Sequence, residues 1–186
     1  MYKVYRWFAV FTLSVILVTL PVASIVSVAK TGKEYASSSS SVKSKSDSKS
    51  LSTLNDLMLK KMNDLRKTKK VSDLATDSTL NSYAATRAEE ASEKWSHTRP
   101  DGSQGCDMIP ATKWRGENLS YVIFPKFNYT EKEQQQAADV MYNNLVASPT
   151  HYDNMVFKSF TKVGIRTYVS ETSEGVKLTT AYMFSN

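Results

Sequence analysis

The chain has 186 residues, 24 of them basic and 18 acidic, for a formal net charge of +6. The surplus sits at the front, because residues 53–186 hold 17 basic and 16 acidic side chains, too balanced for the clustered basic face that nucleic acid requires. Cys106 is the single cysteine, so an intrachain disulfide is excluded, and a folded part of this size can bury enough apolar surface without one.

Residues 7–29 carry no charge and are bracketed by Arg6 and Lys30. The run is long enough to span a bilayer, and Lys3 and Arg6 place its start in the cytoplasm. Two readings stay open: a signal peptide broken at Pro21 with a Ser27-Val28-Ala29 cleavage site, or an uncleaved membrane anchor. Both deliver the remainder to the extracellular side. Residues 30–52 form a Ser/Lys-rich linker that lacks the apolar content to offset ordering entropy. The folded domain is expected over 53–186.

Thr53 with Asp56 reads as a capping box, and Leu54, Leu57, Met58, Met62 and Leu65 then recur at helical spacing over 54–68. Asp77 is the expected N-cap of a second helix, with Leu80, Ala84, Ala88, Ala91 and Trp95 as its apolar, core-facing stripe. That helix ends at "HTRPDG", 97–102, a turn built from Pro100, Asp101 and Gly102. Arg99 reads as a solvated turn residue, with a cation at the rim of a site as the alternative. Residues 98–116 read as loop, and 117–124 as a short helix or a strand after the break at Gly116.

Thr130 and Glu133 make a further capping box for a third helix through Ala137, Val140, Met141 and Leu145, which stops before Pro149. Two alternating runs close the chain. Val163, Ile165, Thr167 and Val169 share one face, and so do Val176, Leu178, Thr180, Tyr182 and Phe184; residues 170–175 join them as a hairpin. Helices followed by a terminal antiparallel pair predict an α+β fold.

His97, Glu117 and His151 stand out, each at an element boundary and separated by 20 and then 34 residues. Two imidazoles and a carboxylate suit a divalent cation such as zinc with an open position for water, or general acid–base work. Hydrogen-bonded loop anchors are the alternative, and spacing alone favours them.

"HTRPDG", "GENLS" and "SPTHYDNM", in that order and with a hairpin ending in "YMF", resemble the bacterial branch of the CAP superfamily of cysteine-rich secretory, allergen and pathogenesis-related proteins. The resemblance spans 53–186. It implies an α-β-α sandwich with a small antiparallel sheet between helices, and a cleft holding His97, Glu117 and His151, these three also as metal ligands. The family's further glutamate, in a Trp-x-x-Glu pattern, is replaced here: Leu145 stands at the Trp place and Ser148 at the Glu place. With the N-terminal run, the domain is expected to be an extracellular, surface-anchored or secreted monomer. Its function is read as a non-catalytic binding module for a lipid, a cell-wall polymer or a protein. A metal-dependent hydrolase acting on protein or cell wall through the same cleft is the alternative. Membrane contact is expected through residues 1–29 if they are retained.

Overall fold

The computed structural model describes residues 51–186, so the apolar run and all but the end of the linker lie outside it. Helix α1, Ser52–Thr68, begins one residue before Thr53. The expected capping box does not form: Leu51 is the N-cap, with no side-chain cap. Instead Gln134, on a distant helix, accepts the Leu54 N–H at 2.9 Å. This orphan donor is satisfied through tertiary structure. Strand β1 is the two-residue Ala75–Thr76, and α2 runs Ser78–Glu93. Asp77 caps α2 as expected, accepting from the N–H groups of Thr79 and Leu80. The loop after α2 carries more order than its sequence suggested, namely a Thr98–Gln104 bridge and a 3-10 turn over Gly105–Met108.

Strand β2, Arg115–Phe124, settles the helix-or-strand ambiguity. Helix α3, Glu131–Ala147, starts at the Thr130–Glu133 capping box. Ser148 leaves the helical region, as the residue before a proline should. A new helix α4, Pro149–Val156, then starts with Pro149 in its first turn, so His151 is helical and not in a loop. Strands β3, Lys162–Thr172, and β4, Gly175–Ser185, form the predicted hairpin, and pairing runs through to Thr172 opposite Gly175.

The sheet order is β1-β3-β4-β2. β3, β4 and β2 are antiparallel, but β1 adds to β3 in parallel, so the sheet is mixed where an antiparallel one was expected. Each face carries its own core. On one, Leu54, Met58 and Met62 of α1 and Met141 and Leu145 of α3 pack against Val122, Leu178, Tyr182 and Phe184. On the other, Leu80, Ala84, Ala88 and Ala91 of α2 cover Leu119, Ala181 and Met183. Each fully buried Leu or Met contributes about 1.5–3 kcal/mol. This is the α-β-α sandwich.

Trp95 departs from the expectation. It lies past the end of α2 and is 42% exposed, not core. The buried stripe instead includes Arg87, between Ala84 and Ala88.

Candidate functional site

β2 is an edge strand, and the two-residue period of a strand sends neighbouring side chains to opposite faces. Glu117 therefore points to the α2 layer, with Leu119, while Asn118 points to the α4 layer, with Val122 two pairs further on. The site forms where these two layers meet around β2.

On the α2 side, Arg87 Nε donates to Glu117 Oε2 at 2.7 Å and its Nη2 reaches Oε1 at 3.3 Å. Both side chains are almost fully buried, at 1% and 4% exposure. Arg87 also donates to the Ser96 carbonyl at 2.8 Å and pairs with Glu90. Glu90 in turn holds Arg99 at 2.9 Å. Arg99 is thus a paired, partly buried residue rather than a solvated one. Burial opposes the charged form of Arg87, but its bonds to Glu117 and Glu90 outweigh that and raise its pKa.

His97 Nδ1 lies 2.7 Å from Glu117 Oε1. A carboxylate only accepts, so Nδ1 donates this hydrogen bond and Nε2 is the ring nitrogen that Glu117 leaves unengaged. The side chain is 46% exposed. The turn behind it is held by Gly105 N–H donating to the His97 carbonyl at 2.8 Å. Gly105 has to be glycine, because a Cβ there would collide with Glu117 Oε2 and sit 2.5 Å from Arg87 Nε.

On the other side, fully buried Asn118 donates from Nδ2 to the His151 carbonyl at 2.9 Å. Asn154, also on α4, donates to Asn118 Oδ1 at 2.9 Å and to the Glu117 carbonyl at 3.3 Å. These bonds fasten α4 to β2 and bring the His151 ring to 6.2 Å from the His97 ring, centroid to centroid. Burial, then the nearby His97, push the His151 pKa down to about 4, against the pull of Glu117, so this imidazole stays neutral.

The structure therefore brings His97, Glu117 and His151 together, with different parts to play. The expectation of three metal ligands does not fit Glu117, whose buried oxygens are taken up by Arg87 and His97. Among the described residues no group of three or more His, Cys, Asp or Glu side chains is arranged to hold a metal ion. A divalent cation would have the two imidazoles as its protein donors, with Glu117 fixing the orientation of one, the usual part of a carboxylate behind a histidine. Cys106 is free, and burial followed by Asp107 raises its pKa, which disfavours the reactive thiolate.

Arg87, Gly105, Asn118 and Asn154 were not foreseen as site residues. Arg87 had left a signal. It falls on the α2 stripe between Ala84 and Ala88, and an arginine on a buried stripe needs a buried partner.

Among the described residues no helix is long and apolar enough to cross a membrane. No curated protein matches the chain. Several solved structures share its fold. An outer surface protein from Borrelia burgdorferi is 18% identical with a TM-score of 0.54, over 73% of this chain and 93% of that one. The CAP domain of Enterococcal PrgA is 17% identical with a TM-score of 0.51, over 76% and 62%. An extracellular SCP-domain protein from Bacillus anthracis str. Ames is 17% identical with a TM-score of 0.50, over 69% and 39%, so the chain spans well under half of that protein. The model of the CAP family, described as the cysteine-rich secretory protein family, matches residues 59–183, and the chain belongs to that family.

Proposed function

We propose that this is an extracellular CAP domain, secreted or held at the outer face of the membrane, that binds a ligand non-catalytically in the cleft between His97 and His151. The observation that carries the reading is the double engagement of Glu117. A general base must be free to take a proton, whereas this carboxylate is committed to a buried guanidinium and to one imidazole. The arrangement is built to hold shape: Arg87 fixes Glu117, Glu117 fixes His97, and Asn118 with Asn154 fixes the helix of His151. Such prior ordering lowers the cost of binding. An extracellular position accords with the uncharged run at 7–29 and with relatives described as an outer surface protein and an extracellular protein.

A metal-dependent hydrolase is the second reading, favoured by two close imidazoles of which His151 is held neutral, the form that binds metal. Zinc or another divalent cation held there would supply a Lewis acid and an acidified water. The test is incubation of the full chain with casein and with peptidoglycan, with zinc and with chelator, followed by mass spectrometry of the products. No products are expected in either condition. Products that disappear with chelator and with His151→Ala would overturn the binding reading in favour of the hydrolase.

A further inference from the structure

The histidine pair continues into a second feature along β2. Trp95 stands two residues before His97, and Tyr121 stands four residues after Glu117 on the same strand face. The segment after α2 therefore runs beside β2 and makes two contacts with it, His97 on Glu117 and Trp95 on Tyr121. The indole and phenol rings lie 4.8 Å apart at 78°, forming an orthogonal corner. Lys177 fixes the corner from behind: its Nζ lies 5.0 Å from the Tyr121 ring centroid and donates to the Ser92 carbonyl at 3.2 Å. Trp95 nonetheless leaves 42% of its surface open to solvent. An indole that is both exposed and pinned is ready-made contact area, with little rotamer entropy left to lose on binding.

The carboxylates nearest this ledge are paired with arginines. Glu117 is offset by Arg87, and Glu90 by Arg87 and Arg99. Glu93 and Lys94, the exposed neighbours of Trp95, also balance. The ledge offers an apolar ring face beside imidazole donors and acceptors, its nearest carboxylates are already paired, and the Lys177 ammonium is turned onto the Tyr121 ring and the Ser92 carbonyl. The ligand chemistry that matches is a neutral ring with one apolar face and a rim of hydroxyls. β-Linked pyranose sugars have this form, since their equatorial hydroxyls leave a face of axial C–H bonds. From Trp95 to His97 the chain spans at most about 7 Å, so neighbouring units of one oligosaccharide can touch both.

We infer that Trp95 and Tyr121 form a sugar-stacking subsite next to the histidine cleft, and that the ligand is a neutral β-linked oligosaccharide. The inference rests on the binding reading above and names its ligand class. The test uses the full chain in a detergent without a sugar headgroup, titrated with chitotetraose and cellotetraose. The indole N–H resonances of Trp95 and Trp114 are followed together with the imidazole signals. Trp114 is the internal control, equally exposed at 43% but at the opposite end of β2, against Phe157.

A saturable shift at Trp95 and not at Trp114 is expected. Trp95→Ala should weaken binding roughly tenfold, about 1.4 kcal/mol, with Trp114→Ala leaving it unchanged. Tyr121→Phe should keep affinity and Tyr121→Ala reduce it, with circular dichroism confirming that each variant is folded. Shifts at the histidines with none at Trp95 would overturn the subsite while leaving the cleft as a binding site. Shifts at Trp95 accompanied by cleavage of the sugar would support the subsite and overturn the non-catalytic reading. No response to either sugar, or a response only to an apolar additive, would overturn the inference.

Discussion

Replacing Arg87 with Met tests the reasoning at its centre. The change keeps an apolar stem of similar length on the α2 stripe but removes the buried guanidinium. Glu117, 4% exposed, then loses its bonds at 2.7 and 3.3 Å and keeps only the half-exposed His97 as a partner. The Ser96 carbonyl and Glu90 lose partners as well. Breaking a buried ion pair from one side costs about 3–5 kcal/mol, because the remaining charge is left uncompensated in a poorly polarisable surrounding. For a folded part of this size that corresponds to a fall in Tm of roughly 10 °C or more. Thermal unfolding followed by circular dichroism, on the full chain in detergent, measures it. The double variant Arg87→Met with Glu117→Leu removes both charges and should recover much of the loss, so the two changes will be far from additive. A loss below about 1 kcal/mol for the single variant, or additive losses in the cycle, would refute the claim that this pair organises the site.

Gly105→Ala should destabilise by about 1–3 kcal/mol, since its Cβ would collide with Glu117 Oε2; a melt within error of the parent would show that the turn can move aside. The pH dependence follows from His151. Its folded pKa of about 4 lies below the ordinary value of about 6.5, so the unfolded chain takes up a proton that the folded one refuses. Stability is therefore fully present above about pH 6.5 and falls as the pH drops toward 4, by up to about 3 kcal/mol. His151→Asn should lack that slope, and a parent chain whose stability matches the variant's pH profile through this window would contradict the assigned burial.

Where local rules were strong, the reading from sequence and the structure agree. Asp77 caps α2, Thr130 and Glu133 cap α3, and the alternation of Leu178, Thr180, Tyr182 and Phe184 places them on one face of β4. Each of these depends on contacts within one or two turns, or on the strict two-residue period of a strand. The expectation for Trp95 failed because helical spacing cannot say where a helix ends, and α2 stops at Glu93 with the indole packed outside on Tyr121. Likewise β1, two residues long, has no period to detect and exists only because β3 lies beside it.

The site divides in the same way. The histidines and Glu117 were legible because their motifs resemble a family, and the chain belongs to it. Their division of labour was not legible. Whether a carboxylate is a ligand, a base or an anchor depends on what is buried against it, and Arg87 meets Glu117 across 30 residues of chain. Sequence by itself determined α1 to α3, the terminal hairpin and the scarce titratable groups, because propensity, capping and periodicity act locally. Only tertiary structure decided that Arg87 neutralises Glu117, that Asn118 and Asn154 tie α4 to β2, and that Trp95 is left exposed beside the cleft. Burial and charge pairing are properties of neighbours in space, and those neighbours are chosen when the two helical layers close around the edge of the sheet.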